Sequence, residues 1–262
     1  MVKEEAPAVV AHRGYAKHYP ENTLLALSAA VDAGAQFIEF DIQLSKDGVP
    51  FLIHDDNLQR TAGLDQSVFD LSMSELETIS VGEAARFGSQ FKTEKLIRLD
   101  SLCEHLNNWQ SVHSFIEIKR QSAERFGTDI VVQNVLNALK SMQASYTLIS
   151  FSQEVVATIQ KLSSESAGWV IGKWDKQNLQ DLETLSPDFI FCNYQKIPEN
   201  QPLPKGQGAW VLYDFDDPVL AKKWLNAGAD LIETMAVKSM IDALSLGAVS
   251  YTHLTLPTTP YV

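Results

Sequence analysis

Residues 8–42 read "AVVAHRGYAKHYPENTLLALSAAVDAGAQFIEFDI". A short apolar run ends in His12 and Arg13, a polar loop follows, a helix opens at Glu-Asn-Thr, and an extended apolar run resumes at "FIEFDI". A helix start needs only a capping side chain, which Asn22 or Thr23 can supply. A plain strand-to-helix turn has no use for an imidazole and a guanidinium, so His12 and Arg13 mark a turn that does chemistry.

The same rhythm continues to the far end through "PFLIH", "SFIEIK", "YTLISF", "GWVIGK", "DFIFCN", "WVLYDF" and "DLIET", with helix-like segments at 22–33, 126–143, 153–163 and 218–227. Strands alternating with helices imply a parallel sheet with the helices packed outside it. Nine such runs suit an α/β TIM (β/α)8 barrel, with one run left over as a short extra pairing or a loop. An open doubly wound sheet fits less well. No G-x-G-x-x-G follows a strand, and polar residues fall at strand ends along the whole chain. Residues 55–100 break the rhythm with Gly, Ser and acidic residues, and this length predicts a small insertion over the barrel mouth, after the third strand.

The 262 residues, 45% hydrophobic and 21% charged, are ordinary for a globular enzyme. Residues 1–248 read as a single barrel domain. A net charge of -12, from 33 acidic and 21 basic residues, disfavours a nucleic-acid partner. Cys103 and Cys192 stand far apart in no metal or disulfide pattern. The first residues, "MVKEEAPAVV", lack the basic and apolar regions of a signal peptide, and no run nears the ~18 apolar residues of a membrane span. The expectation is a cytoplasmic protein with no stable membrane association. The stretch "AVSYTHLTLPTTPYV" at 248–262 carries no charge and no periodicity, so residues 249–262 read as a non-native scar or a disordered tail.

Glu39 and Asp41 in "FIEFD" lie two apart on a predicted strand and share a face, as do Glu117 and Lys119 in "FIEIK". A carboxylate left alone among such apolar neighbours would cost several kcal/mol, so it needs a partner. Each acid taken singly suits a core ion pair equally well. Together, three clustered carboxylates call for a cation, and an all-oxygen set favours Mg²⁺ or Ca²⁺ over zinc. His12 and His54 each close an apolar run, at the carboxyl ends where barrel active sites form. His18, His105, His113 and His253 lack that context and read as surface or structural. Gly14 rules out the H-x-H of metal-dependent amidohydrolases. Arg13 offers a two-pronged contact to a phosphate, and Lys119 a point charge.

The ordered segments "AHRG", "PENTLLAL", "IEFDIQLSKDG", "LIHDDNLQRTAG", "IEIK" and "SF" resemble the glycerophosphodiester phosphodiesterase family, most of all its short cytosolic bacterial members. The likeness covers about residues 8–234 and is densest over 10–63. It implies a TIM barrel that releases glycerol 3-phosphate and an alcohol from a small-molecule diester. By motif it implies His12 and His54 as acid/base pair, Glu39, Asp41 and Glu117 as ligands of a divalent cation, and Arg13 and Lys119 on the phosphate. Glu21 and Asn22, at the family's helix start, have supporting roles. The chain departs from the pattern at "LIRLDSL" (96–102), at "YDFDD" (213–217) and at "IETMA" (232–236), and the last two touch the expected alcohol pocket. Two other functions fit the same barrel: phospholipase C- or D-like activity on lysolipids or phosphoinositides, and non-catalytic binding of glycerophosphodiesters.

Overall fold

The computed structural model describes residues 8–199 and 201–249. The tail expected at 249–262 lies outside the described residues apart from Val249. Each of the nine apolar runs forms a strand: β1 (Val9–Ala11), β2 (Phe37–Leu44), β3 (Pro50–Leu52), β4 (His113–Ile118), β5 (Tyr146–Ser150), β6 (Ser166–Ile171), β7 (Phe189–Asn193), β8 (Ala209–Tyr213) and β9 (Leu231–Thr234). Eight of them close a parallel ring in the order β1-β2-β4-β5-β6-β7-β8-β9, and β9 pairs back onto β1 through Val10 and Glu233.

The run left over is "PFLIH". Strand β3 lies antiparallel to the outer end of β2, with Leu52 opposite Ile42 and Pro50 opposite Leu44. His54 therefore does not end a barrel strand, contrary to the sequence expectation. β2 overshoots the ring, turns at Gly48, and the chain comes back down beside it, so that the Ile53 N–H donates to the Asp41 carbonyl. The hairpin returns His54 to the level of Asp41 by a different route from the expected one.

Helices cover the outside of the ring, and the sequence chemistry explains where they begin. The Thr23, Ser152 and Asp175 side chains cap the helices Leu24–Asp32, Gln153–Leu162 and Lys176–Leu185 by accepting from backbone N–H groups three residues on. Asp217 caps the helix Pro218–Asn226, whose first residue is a proline that has no N–H to leave unpaired. On Gln153–Leu162 the residues Val155, Val156 and Ile159 form the buried stripe, each stabilising by about 1.5–3 kcal/mol.

The strands sort their side chains by the two-residue period of the pleat. Ile38, Phe40, Ile116, Ile118 and Ile232 point outward into the layer beneath the helices. Val10, Phe115, Ile149, Val170, Phe191, Val211 and Leu231 pack inside the ring. On this inner face, the positions nearest the carboxyl ends of β1, β2, β4 and β9 carry polar groups in place of apolar ones.

The segment between β3 and the helix Leu99–Leu106 is more than a loop. It holds short helices at Gln59–Ala62, Met73–Leu76 and Ala84–Phe87 and an apolar cluster of its own around Leu58, Val68, Phe69, Met73 and Leu76. It sits against the loop after β1, where Glu83 accepts from the Glu21 N–H and Arg86 donates to the Ala16 carbonyl. Among the described residues no helix is long and apolar enough to cross a membrane.

Candidate active site

The turn after β1 is bent by two residues in the left-handed region, Arg13 (φ 55°) and Gly14 (φ 77°). At Gly14 a Cβ would come within 2.5 Å of the Ala26 backbone, so glycine is required there by space as well as by φ. The bend aims the Arg13 N–H at Glu39 Oε2, 3.0 Å away. It also brings the guanidinium to Glu21 Oε1 (3.0 Å) and to Asp41 Oδ2 (3.1 Å). Asn22 is left-handed too (φ 54°), and it clasps Asp41 from both sides: its Nδ2 donates to Oδ2 (2.9 Å), and its Oδ1 accepts the Asp41 N–H (3.0 Å). Asn22 thus binds a site carboxylate, and Thr23 is the helix cap. Non-glycine residues held at positive φ cost free energy and concentrate at functional sites.

Glu21 is buried and grips two arginines, Arg13 and Arg60, the second through both oxygens at 2.7 Å. Lys119 Nζ lies 3.2 Å from Asp41 and 2.7 Å from Glu117. Glu39, Asp41 and Glu117 can each offer an oxygen to a common point, these atoms lying within 4.8 Å of one another. Burial pushes the Glu39 carboxyl well above its usual range, and its acidic neighbours Asp41, Glu233 and Glu117 push it further. Burial acts the same way on Asp41, yet Lys119 and Arg13 outweigh it and hold Asp41 low. The two fixed cations therefore relieve Asp41 and leave Glu39 crowded. A hard divalent ion among three oxygen donors fits this residual repulsion.

His12 and His54 face one cavity, and each has a carboxylate on Nδ1. Asp214 lies 3.2 Å from His12 and Asp55 lies 2.6 Å from His54. An Nδ1 that donates to a carboxylate leaves Nε2 for proton transfer. Burial lowers the His12 pKa, but Glu233 and Asp214 more than reverse this and raise it. The cavity has two characters. Arg13, Glu39, Glu117, Lys119 and Glu233 form a charged wall, and Ile149, Phe151, Val170, Phe191 and Tyr213 form an apolar one.

Every residue singled out in the sequence as a site candidate lies in this constellation, and two more join it. In the sequence Asp214 and Glu233 stand only within the two departures from the family pattern, 213–217 and 232–236. Glu233 carried a signal: "LIET" places an acid at an inward position of a strand, as "FIEFD" and "FIEIK" do. Asp214 had none, since it reaches His12 from 202 residues away. His113 starts β4 at the opposite end of the barrel, bonded to Ser145 and Thr147, and His18 is exposed against Tyr15. His105 lies on the outer helix Leu99–Leu106, and His253 is outside the described residues.

The geometry can be compared with known proteins. Human glycerophosphodiester phosphodiesterase 1 is 32% identical over 244 residues, 86% of this chain and 70% of that protein. A glycerophosphodiester phosphodiesterase of Caldanaerobacter subterraneus subsp. tengcongensis is 38% identical over 96 residues, 37% of this chain and 39% of its own. The chain spans about half the length of several curated relatives it matches. An Oleispira antarctica phosphodiesterase, solved in complex with the product sn-glycerol-3-phosphate, shares the fold with a TM-score of 0.83 at 22% identity, covering 91% of this chain and 97% of that one. The model of the glycerophosphoryl diester phosphodiesterase family matches residues 12–192, which include His12, His54, all three clustered carboxylates, Arg13 and Lys119. On that match, which runs from the turn after β1 to the end of β7, the chain belongs to the glycerophosphoryl diester phosphodiesterase family.

Proposed function

We propose that the protein is a divalent-cation-dependent hydrolase of glycerophosphodiesters, producing glycerol 3-phosphate and an alcohol. The observation that carries this reading is the pair of carboxylate-backed imidazoles, His12 and His54, opening on the cavity that Glu39 and Glu117 line, with Asp41 buried within reach of both carboxylates. Family membership and the human relative support it.

In this reading the charged wall receives the phosphodiester and the apolar wall the substituent beyond it. A bound Mg²⁺ or Ca²⁺, held by Glu39, Asp41 and Glu117, neutralises charge that builds on the phosphoryl oxygens. Arg13 and Lys119 add fixed positive charge on the same side, kept in place by Glu21 and Asp41. One imidazole takes the proton of the attacking hydroxyl through Nε2 as the new P–O bond forms. The other gives a proton to the departing alkoxide as the old P–O bond breaks. Asp214 and Asp55 hold the two rings in the tautomer this exchange requires. Asn22 orients Asp41. Residues 1–248 act as one domain, the segment after β3 forming one side of the mouth.

A lipid-directed activity would want an apolar surface at the mouth. Among the described residues the exposed large apolar side chains are Leu64, in the loop after the helix Gln59–Ala62, and Ile130, Leu162 and Val219, on three different helices. They make no patch. The testing measurement is turnover of glycerophosphocholine by protein stripped with EDTA and then given Mg²⁺ or Ca²⁺. Chelation is expected to abolish turnover and either ion to restore it. Full activity after exhaustive stripping would remove the cation from the proposal, and no turnover of any glycerophosphodiester would remove the activity.

A further inference from the structure

Glu233 is not needed for the chemistry above, and its environment is unusual. It is 3% exposed, it lines the charged wall of the cavity, and its Oε1 has no hydrogen-bond partner among the described residues. A buried carboxylate oxygen with no donor costs free energy that a native fold recovers through a proton, an ordered water or a bound ion.

The neighbours of that oxygen form a ligand set. His12, Glu39 and Glu233 can each offer one atom, all within 4.8 Å of one another, and His12 Nε2 lies 4.0 Å from Glu39 Oε2. Two ligands of one tetrahedral zinc ion, at bonds of about 2.0–2.2 Å, stand roughly 3.3–3.6 Å apart, so the three atoms would draw together by up to about 1.5 Å on binding. On the far side of the imidazole, Asp214 Oδ2 lies 3.2 Å from Nδ1. Histidines that bind metal ions regularly donate their second ring N–H to a carboxylate in this way. The donor set also differs in kind from the neighbouring one: Glu39, Asp41 and Glu117 offer oxygen only, whereas this one adds an imidazole nitrogen, which suits zinc-like ions better than Mg²⁺ or Ca²⁺.

The charges permit a second ion. Glu39, Asp41, Glu117, Glu233, Asp214 and Asp55 bring six negative charges against Arg13 and Lys119, with Glu21 and Arg60 cancelling each other. One divalent cation leaves the cluster negative. A second brings it to neutrality.

We propose that His12 Nε2, Glu39 and Glu233 form a second cation site that shares Glu39 with the oxygen site and takes a borderline transition ion of the Zn²⁺ type. Binding there occupies the lone pair through which His12 would accept a proton. The site is therefore inhibitory, and this consequence, unlike the binding itself, rests on the acid/base reading of His12.

The test loads the full-length protein with excess Mg²⁺, titrates Zn²⁺ by calorimetry, and counts bound zinc by atomic emission. Wild type is expected to hold one zinc equivalent more than Glu233→Gln, and zinc inhibition of diester turnover should need at least about tenfold more zinc in that variant. Asp214→Asn should keep the stoichiometry and bind zinc roughly 10–100-fold more weakly. X-ray absorption at the zinc edge of wild type should show one imidazole nitrogen that disappears in His12→Gln, a readout that needs no folded Glu233 variant. Equal zinc counts in wild type and Glu233→Gln, or an oxygen-only zinc sphere, would overturn the site and leave Glu233 as a counter-ion of His12. An extra zinc equivalent in a protein with no diester turnover would keep the site and refute the proposed function.

Discussion

The two histidines reach the cavity on different supports and carry the same device. His12 follows β1 and His54 follows the hairpin, yet each leans a ring nitrogen on an aspartate. Replacing either by alanine is expected to lower the turnover number by roughly 100-fold or more, the usual loss for general acid or base help. On the proposed reading both act in one transition state, so the double variant should be much less impaired than the product of the single losses. His18→Ala, exposed in the loop between, should stay near wild type. A His54→Ala protein that keeps its turnover and loses stability would make that histidine structural. Arg13 shows a different dependence. Its guanidinium links Glu21 and Asp41 from a backbone bent to positive φ, a span that one ammonium cannot bridge. For Arg13→Lys a fall in kcat/KM of about tenfold or more is expected, since one charge-assisted hydrogen bond is worth ~1.5–3 kcal/mol. Unchanged steady-state kinetics would reduce Arg13 to a brace.

At the scale of elements, the turn after β1 and the β2–β3 hairpin place most of the site. Gly14 lets the turn pass against the helix Leu24–Asp32, and an added methyl would meet the Ala26 backbone while the φ of 77° strains any side chain. Gly14→Ala should therefore destabilise the fold by about 1–3 kcal/mol or more, a strain typical of such backbone positions. Thermal unfolding reads this as a fall in Tm of several degrees. Because the turn carries Arg13 and the N–H bonded to Glu39, turnover should fall with it. A variant with wild-type Tm would show that the turn relaxes freely. The hairpin has the converse logic: β3 adds no stave to the barrel, and its use is to bring His54 back to Asp41.

For the whole molecule, the buried carboxylates predict how stability changes with pH in the metal-free protein. Burial pushes the Glu233 carboxyl up to about 7, against an unfolded value near 4.5, although His12 pulls it down. Its folded state then holds a proton that its unfolded state has lost, so stability falls as pH rises from about 4.5 to 7. Glu39 and Glu117, also raised mainly by burial, act with the same sign. His12, raised as well, contributes stability that is complete below its unfolded pKa and is lost as pH climbs through the folded one. The lowered Asp41 and Glu21 gain their stabilisation at more acid pH and add no slope in this window. Denaturant unfolding of EDTA-stripped protein at pH 5 and pH 7 should show the decline. Its size should shrink in Glu233→Gln by about 2 kcal/mol, the part of the Glu233 shift that lies between these two pH values. On the proposed cation site, saturating Mg²⁺ should remove the part of the decline that Glu39 and Glu117 contribute and leave the Glu233 part, because Glu233 is not one of its three ligands. A metal-free protein more stable at pH 7 than at pH 5 would contradict this assignment of the buried charges.

Local pattern determined a good deal about this protein. Nine apolar runs are legible as strands because strand formation follows composition and period. Glu39, Asp41, Glu117 and Lys119 are legible as inward groups because alternate residues on a strand share a face. His12 and Arg13 stand out because no turn needs them, and the ordered motifs pointed to the family. Tertiary structure alone decided the rest. Whether "PFLIH" becomes a stave or a returning hairpin depends on which strand it pairs with, and pairing between distant strands leaves no periodic trace in a single chain. Asp214 reaches His12, and Glu233 joins Glu39, only because ring closure brings β8 and β9 round to β1. The segment after β3 reads as loop by composition, yet its scattered apolar residues collect into a cluster once folding brings them together. A side chain's face is a local property, whereas its neighbours across a closed barrel are fixed by packing the entire ring.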